Sequence, residues 1–421
     1  MSISCTEPQF PDVGVIALVP DLWGPEWEAR HYVLSRLAEY FHVVWVNCPH
    51  GWRESLSTLR RNARAQATPP VPRGMQVYQP EFWLPLIGRP AWLAQLTSRA
   101  RLNQAWQRLR DCGCAKVVLY IWRPDFADAL EQAPHYDLSI YHVDDEYSFS
   151  STQVEITPAE RHLLEASGQV FIHSPSLMER KGGINPNSQF LPNGAEYQLY
   201  ATPAPEPEDL ASIPHPRIGY MGYLKQMLDW VLLLELSARH REWSFVFVGS
   251  CRPHAEMADA LREITRRPNV YLLGGKPVER LGGYPQHFDV CIMPYRLDDY
   301  TNCIYPLKMH EYLASGQPVV SSPVRSVLEF RNVIGLARSG EEWSKAITYA
   351  LSPQENSAER RAERQAVARI YDWDTLVAKI AGVIAQRIGV AVPGDVQSRL
   401  EATSGSPVAA ASRFNSRSWT K

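Results

Sequence analysis

Short apolar runs alternate with amphipathic segments along most of the chain. The first run, Val13 to Val19, is followed by a Gly-Pro turn, an amphipathic stretch over 26–40 and a second apolar run over 43–46. Continuous apolar runs predict strands buried on both faces, and the strand–helix–strand order predicts right-handed βαβ units in parallel sheets. The alternation recurs at 116–143 and again from 217 onward. The pattern therefore predicts an α/β protein.

A proline-rich, polar stretch at 201–216 separates two regions that both carry this alternation. Such a composition predicts a semi-rigid linker, and 421 residues are more than one typical core accommodates. We predict an N-terminal Rossmann-like domain at 1–200, a second at 217–371 and an amphipathic helix at 372–388. The small, polar composition of 389–421 predicts a disordered tail.

Composition and charge exclude several classes of protein. The formal net charge is −2, so nothing global points to a nucleic-acid partner. Seven cysteines occur without metal-ligand spacing, which indicates reduced thiols and a cytoplasmic location. The N-terminus has neither the basic nor the apolar region of a signal peptide, and no apolar run approaches the ~20 residues of a membrane span.

Residues 52–110 differ from the rest of the chain in charge. They contain ten arginines and two acidic residues, and they enclose the apolar, aromatic stretch EFWLPLIGRPAWLAQL at 81–96. Basic residues beside Trp, Phe and Leu are typical of a peripheral contact with an anionic membrane. A helical hairpin packed on the domain, with its arginines in water, explains the same pattern. The sequence leaves both interpretations open.

Residues 301–322 carry the most specific chemical pattern. A proline and a glycine bound a short predicted helix at 307–315, and Lys308 and Glu311 share one of its faces. Lys308 lies in the first turn, where free backbone N–H groups and the helix dipole already favour an anion. A cation there, with a carboxylate one turn on, suits a ligand that has phosphate at one end and hydroxyls at the other. A nucleotide sugar is such a ligand.

This stretch resembles the donor-site motif of GT-B glycosyltransferases, P-x-K-x-x-E-Y-x-A-x-G-x-P-V-V. The matching residues are Pro306, Lys308, Glu311, Tyr312, Ala314, Gly316, Pro318, Val319 and Val320. The resemblance implies two Rossmann-like domains whose parallel sheets face each other across a cleft, with the helix at 372–388 crossing back to the first domain. It also implies that Lys308 contacts the donor diphosphate, that Glu311 binds the ribose hydroxyls, and that no metal or other cofactor is needed.

Two further segments resemble parts of the same family. Gly222, with Lys225 nearby, resembles the loop whose glycine lets the backbone approach the donor diphosphate. Asn193 and Gly194 belong to a Pro-Asn-Gly segment that resembles the one where the first domain closes on the cleft. Taken alone, that tripeptide indicates only a turn.

The chain departs from the retaining members of the family, which carry a second glutamate eight residues before the ribose-binding one. Cys303 occupies that position, beside Asn302, whose amide offers a hydrogen bond to the donor but no charge. An inverting reaction needs a base for the acceptor hydroxyl, and the sequence resembles inverting members that carry an aspartate at a strand end. Asp145 or Asp144, after the predicted strand at 138–143, is the candidate base, with Asp145 preferred. Capping of the following segment is the alternative role.

These features predict a glycosyltransferase that moves a sugar from a nucleoside diphosphate, with UDP favoured, to a saccharide or polyprenyl-linked acceptor in surface polysaccharide synthesis. A sugar-nucleotide epimerase of the same fold and a non-catalytic nucleotide- or saccharide-binding module are the alternatives. The expected partners are the nucleotide sugar and the acceptor, while peripheral contact with the inner face of an anionic membrane stays open. Arg30, just after the first loop, is expected on a solvated helix face rather than at the acceptor.

Overall fold

The computed structural model describes residues 7–24, 27–49, 69–86, 89–147, 156–251 and 254–391. Within them the chain forms two compact units. The first unit holds the described residues up to Leu191 and those from Leu376 onward, and the second holds Pro192–Thr375. Arg53, Arg60, Arg61 and Arg64 of the basic segment, and the tail beyond 391, lie outside the described residues.

The first unit contains a parallel sheet of seven strands. They are β1 (Phe10–Leu18), β2 (Phe41–Val46), β3 (Met75–Tyr78), β4 (Lys116–Ile121), β5 (Leu138–Val143), β6 (Gln169–Ile172) and β7 (Ser188–Phe190). The accompanying helices are α1 (Ala29–Leu37), α2 (Ala91–Asp111), α3 (Ala129–Gln132), α4 (Pro158–Ala166) and α5 (Pro175–Lys181). The strand order is β3-β2-β1-β4-β5-β6-β7, so the chain reverses direction across the sheet between β1 and β4.

The second unit contains a parallel sheet of six strands. They are β8 (Arg217–Met221), β9 (Ser244–Val248), β10 (Val270–Gly274), β11 (Val290–Met293), β12 (Val319–Ser321) and β13 (Gly335–Leu336). Its helices are α6 (Tyr197–Ala201), α7 (Trp230–Arg239), α8 (Ala255–Ile264), α9 (Gly283–Gln286), α10 (Asp299–Cys303), α11 (Leu307–Ser315), α12 (Gly340–Ala350) and α13 (Ala358–Ile370). The order β10-β9-β8-β11-β12-β13 puts the reversal between β8 and β11.

Both sheets have the sequence character of strands covered by helices on their two faces. Every residue of β5, β8 and β9 is buried, although these strands include Ser139, His142 and Arg217. Parallel sheets are stable only when both faces are covered, which is why their strands are nearly continuous apolar runs. The predicted α/β class, with two Rossmann-like parallel sheets, is confirmed.

The proline-rich stretch at 201–216 packs within the second unit. Leu210 and Ile213 are buried, and the buried guanidinium of Arg217 donates to their carbonyl oxygens at 2.8 and 2.9 Å. Compactness therefore divides the chain after Leu191, upstream of the stretch that its proline content marked as a linker.

The last helix of the described chain is α14, Trp373–Arg387, where the sequence predicts one at 372–388. Its first residues belong to the second unit, in which the Trp373 N–H donates to the Ala195 carbonyl at 3.1 Å. From Leu376 onward it belongs to the first unit, in which Arg387 donates to the Gln169 side chain at 3.2 Å. Among the described residues, no helix is both long and apolar enough to cross a bilayer.

Candidate active site

Helix α11 places Lys308 against the backbone of Gly222. The helix begins after Pro306 and ends at Gly316, whose φ of +77° is the left-handed conformation that glycine adopts at helix ends. Gly222 follows β8 with a φ of +135°. A Cβ atom on Gly222 would lie 2.2 Å from Lys308 Cε and 2.6 Å from Lys308 Nζ. The close approach of the lysine to the loop therefore requires glycine at this position.

Glycine turns follow three neighbouring strands of the second sheet. Gly222, Gly249 and Gly274 end β8, β9 and β10, and all three have positive φ. A Cβ on Gly249 would lie 2.1 Å from the Gly222 carbonyl oxygen, and the Gly249 N–H donates to Gly274 at 2.9 Å. Backbone without side chains thus forms the edge beside Lys308, at the carboxyl ends of the strands, where open α/β sheets bind ligands.

Glu311 lies one helical turn beyond Lys308. Burial raises the pKa of its carboxyl, while the Lys308 charge and a hydrogen bond with Tyr200 act in the opposite direction. Burial also raises the pKa of Tyr220, and the Glu311 charge adds to that rise. The Lys308 ammonium lies 5.3 Å from the centre of the Tyr220 ring. The structure therefore brings Lys308 and Glu311 into one cluster with two tyrosines that the sequence analysis did not single out.

Tyr312, four residues after Lys308 and on the same face of the helix, fixes α11 to the end of β8. Its hydroxyl accepts from the Met221 N–H at 2.7 Å and lies 3.3 Å from the Met221 carbonyl oxygen. Because Met221 directly precedes Gly222, this contact sets the distance between the helix and the glycine turn. Tyr312 belongs to the matched motif, and its role in positioning the helix is visible only in the structure.

The other predicted donor residues lie in the same unit. Lys225 is in the loop after Gly222, with its ammonium 5.1 Å from the Tyr223 ring centre. The side-chain oxygen of Asn302 accepts a hydrogen bond from the Arg325 backbone N–H at 3.3 Å, and the neighbouring Cys303 is buried. The roles of Lys225 and Asn302 in donor binding stay predictions.

Asn193 and Gly194 lie at the start of the second unit. The Asn193 amide donates to the Tyr305 carbonyl at 2.8 Å, immediately before α11. Nearby, Glu329 Oε1 lies 3.5 Å from the Tyr305 hydroxyl, and burial raises the pKa of this carboxyl to about 7. The predicted place of Asn193 and Gly194 at a cleft stays a prediction.

In the first unit, Asp144 is held by two partners. Its carboxylate accepts from Arg30 at 2.6 Å and from the Tyr147 hydroxyl, and Arg30 also pairs with Asp21. Burial alone would lower the pKa of Arg30, but the charges of Asp144 and Asp21 raise it above its usual value. The expectation that Arg30 lies on a solvated helix face is wrong, because Arg30 forms an ion pair with Asp144, which lies 114 residues further along the chain.

Asp145 differs from Asp144 in its surroundings. Its Oδ1 accepts from the Glu146 N–H at 2.8 Å, and its side chain is partly exposed. The alternative role of the aspartates, capping of the following segment, falls on residues 148–155, which lie outside the described residues. The structure therefore separates the two candidate bases by their partners, while the catalytic role of either stays a prediction.

A buried ion cluster supports the segment that carries both aspartates. The Lys181 ammonium donates to Glu146 at 2.8 Å and to Glu160 at 2.7 Å, and all three side chains are almost fully buried. Burial raises the pKa of Glu160, and Lys181 opposes that rise. A buried charge of this kind is stable only while its partners remain. Lys181 thus anchors the end of β5 to α4 and α5.

Within the described ranges, no three His, Cys, Asp or Glu side chains gather as a metal site would require. The absence of a metal or other cofactor from the reaction stays a prediction.

One family model matches part of the second unit. Residues 215–352 match the model of the glycosyl transferases group 1, and this range contains Gly222, Lys308 and Glu311. This part of the chain is therefore similar to group 1 glycosyl transferases. The predicted resemblance is confirmed.

One curated relative is a Bacillus subtilis (strain 168) protein named "Putative teichuronic acid biosynthesis glycosyltransferase TuaH". It is 29% identical over 196 residues, which cover 45% of this chain and 48% of the relative. The match thus spans about half the length of each protein.

Solved structures of glycosyltransferases have the same fold across most of the chain. Anabaena Alr3699/HepE, in complex with UDP and glucose, superposes with a TM-score of 0.64 at 16% identity, covering 89% of this chain and 99% of that one. An E. coli trehalose-6-phosphate structure bound with UDP-2-fluoro glucose gives 0.62 at 14% identity, covering 90% and 99%. At such identities the likeness establishes the GT-B fold and no more.

Proposed function

We propose that this chain is a glycosyltransferase that moves a sugar from a nucleoside diphosphate, UDP in particular, to a saccharide or lipid-linked saccharide in surface polysaccharide synthesis. The observation that carries the proposal is the placement of Lys308. Its ammonium rests on the Gly222 backbone at the first turn of α11, with Glu311 one turn on. In a nucleotide sugar the charged diphosphate lies beside the ribose hydroxyls, and Lys308 and Glu311, one turn apart, are arranged to contact both.

Two comparisons support the finer parts of the proposal. The structures of HepE and of the E. coli trehalose-6-phosphate protein contain UDP or a UDP-sugar, which supports a uridine donor. The name of TuaH refers to teichuronic acid biosynthesis, which supports a polymer of the cell surface.

The proposed reaction is a displacement at the anomeric carbon. An acceptor oxygen forms a bond to that carbon, the bond to the diphosphate oxygen breaks, and the hydroxyl proton passes to a carboxylate. Lys308 and the N–H groups of the first turn of α11 stabilise the charge on the departing diphosphate, as a metal does in other transferases. Glu311 accepts hydrogen bonds from the ribose hydroxyls.

Asp145 is the proposed base in this reaction. A base must be within hydrogen-bond reach of the proton that it takes. Asp144 is paired with Arg30 and accepts from the Tyr147 hydroxyl, and these contacts suit a residue that orients the segment. Asp145, whose partly exposed carboxylate accepts from the Glu146 N–H, is the residue proposed to receive the proton.

Peripheral contact with an anionic membrane, at the inner face, belongs to the same proposal. Phe82, Trp83, Leu86, Trp92 and Leu96 are each more than half exposed, and they lie within fifteen residues of one another. Exposed aromatic side chains beside arginines anchor proteins at the headgroup level. Trp83→Ser with Trp92→Ser should weaken sedimentation with anionic liposomes, whereas Val231→Ser, equally exposed in the second unit, should not. Equal sedimentation of all variants would refute membrane contact.

Turnover with purified UDP-sugars tests the central proposal. Lys308→Met should lower kcat by about 10²- to 10³-fold, the usual loss when one donor to a developing negative charge is removed. Lys345→Met is the matched control, because Lys345 is an exposed lysine on α12. Unchanged kinetics in Lys308→Met would refute the assignment. Formation of a new UDP-sugar without acceptor would indicate an epimerase, and UDP binding without any UDP release would indicate a binding module.

A further inference from the structure

A cavity of about 390 Å³ lies in the first unit, and none of its lining residues takes part in the proposed reaction. Its walls come from the ends of β1, β2 and β4, from α2 and from α3. The chain reverses across this sheet between β1 and β4, and crevices at such a reversal are where open α/β sheets bind ligands. The volume falls in the range of about 300–1,000 Å³ that small-molecule sites occupy.

Two arginines and two aspartates, Asp125 and Asp128, line the cavity, and both aspartates are exposed. Arg101 donates to the carbonyl oxygens of Leu84 and Pro85, each at 3.0 Å, and no carboxylate pairs with it anywhere in the described chain. Burial lowers the pKa of Arg101, as expected for a cation that has lost water and gained no counter-ion. Arg123 pairs with Asp125 at 2.7 Å, but both side chains are largely exposed, so the pair is weak and exchangeable.

Both arginines act on the same lining residue of the cavity, Cys48. Burial raises the pKa of its thiol, and the charges of Arg123 and Arg101 both act to lower it. Gln132 also lines the cavity, and its side-chain oxygen is buried without a hydrogen-bond partner among the described residues, as is Arg123 Nε. Unsatisfied buried polar atoms beside a desolvated cation indicate a place where a polar ligand completes the hydrogen bonding.

The cavity adjoins the aspartates of the same unit through Tyr147. The Arg123 guanidinium lies 5.7 Å from the centre of the Tyr147 ring, and the Tyr147 hydroxyl hydrogen-bonds to Asp144. The same hydroxyl is 3.0 Å from the carbonyl oxygen of Trp122, the residue before Arg123. A ligand held by Arg123 therefore lies next to the segment that carries the proposed base.

We propose that this cavity binds a phosphate group of the acceptor. Arg101 and Arg123 hold the anion, and the side-chain oxygen of Gln132 accepts a hydrogen bond from a hydroxyl group of the same molecule. The proposal rests on the proposed function and narrows the acceptor to a phosphate-bearing molecule. Guanidinium groups suit it because their paired N–H donors match phosphate oxygens. The phosphate comes either from a lipid-linked acceptor, whose tail would follow Leu86 on the cavity wall, or from a free sugar phosphate.

Protection of Cys48 from maleimide labelling measures occupancy of the cavity directly. The protein is labelled at alkaline pH with saturating UDP, which keeps diphosphates from the donor site, and Cys48 is quantified by peptide mass spectrometry. Cys112, also a free and half-exposed thiol but outside the cavity, is the internal control. The probes are farnesyl diphosphate, glucose 6-phosphate, inorganic pyrophosphate and, as the tail without an anion, farnesol.

At least one phosphate-bearing probe should slow labelling of Cys48 and leave Cys112 unchanged, and the better of the two organic phosphates identifies the source. Arg101→Gln and Arg123→Gln should each raise the half-protecting concentration about tenfold or more, the effect of a lost charge-assisted hydrogen bond. Arg99→Gln, an exposed arginine two residues away on α2, should not change it. Arg101→Lys should restore part of the protection, since it keeps the charge.

Equal protection in the three Gln variants would overturn the proposal, as would farnesol protecting as well as farnesyl diphosphate. Because Arg101 also holds the loop at 84–85, melting temperatures accompany the measurement, and Arg123→Gln decides if Arg101→Gln unfolds. An unchanged UDP affinity in Lys308→Met would refute the proposed function, and this result is distinct from those that overturn the cavity proposal.

Discussion

Replacement of Gly222 by alanine is the most direct perturbation of the proposed donor site. The new Cβ would lie 2.2 Å from Lys308 Cε, whereas non-bonded carbons prefer about 3.5–4.0 Å, so the lysine must move by more than about 1 Å. A lysine side chain is flexible, so it moves more readily than the strand does. The alanine also adopts a φ of +135°, which adds strain of about 1–3 kcal/mol. We expect a folded protein whose ammonium no longer reaches the diphosphate.

The loss of UDP affinity follows from the contact that is removed. A hydrogen bond to a charged group contributes about 1.5–3 kcal/mol, which corresponds to about 10- to 150-fold in Kd. Gly113→Ala is the matched control, because Gly113 has a φ of +85° after α2 in the first unit and nothing within 4 Å of the added Cβ. That variant should lose melting temperature through backbone strain and keep its affinity for UDP.

Calorimetric titration of UDP into both variants and into a Lys308→Met background separates the two effects. If Gly222 acts through the lysine, Gly222→Ala should add little to Lys308→Met, because both remove the same contact. Additive losses in the double variant would refute the reasoning. The reasoning would also be refuted if Gly222→Ala kept the wild-type affinity for UDP and melted at the same temperature as Gly113→Ala.

The remaining predictions concern three carboxylate environments. Asp145→Asn should lower kcat by about 10²-fold or more. Asp144→Asn should chiefly lower the melting temperature, with a smaller loss of kcat, since it breaks the pair with Arg30. Kinetics and melting curves of both variants test this difference. Lys181→Met should destabilise the first unit by about 3–5 kcal/mol in urea unfolding, because buried Glu160 loses its cation and buried Glu146 keeps only the half-exposed Arg180; a loss under about 1 kcal/mol would contradict this. Burial raises the pKa of Glu329 to about 7, so the folded protein binds more protons than the unfolded chain between the ordinary glutamate pKa and about 7, and stability should fall as pH rises through that window. Glu329→Gln should flatten this fall in melts from about pH 5 to about pH 8, and an unchanged slope would exclude Glu329 as its cause.

The features that sequence reasoning predicted well are local. A proline and a glycine bound α11, and the spacing of Lys308 and Glu311 follows from the helical repeat, so the sequence gives this helix without tertiary information. The parallel strands are likewise visible as apolar runs. Proline content, by contrast, indicated where regular structure stops at 201–216 but not that Arg217 binds this stretch to the second unit.

The features that it missed depend on residues distant along the chain. Arg30 meets Asp144 across 114 residues, and Lys181 meets Glu146 across 35. No periodicity or local motif links such residues, because their proximity arises from the order in which strands join the sheet. The sequence therefore identified Asp144 and Asp145 as a pair, and only the structure distinguishes them.

This difference between local and distant determinants also explains why the sequence predicted more of the proposed site in the second unit than in the first. The proposed donor contacts depend on backbone geometry at Gly222 and at the start of α11, which short motifs specify, and the family match at 215–352 lies in that unit. The proposed acceptor contacts depend on arginines such as Arg101 and Arg123, which different elements bring to one cavity. Substitutions at these arginines can change the acceptor without altering the donor motif or the sheet. Acceptor preference should therefore vary with residues that a motif search does not detect, and the cavity at β1 and β4 is where this chain's own preference should be measured.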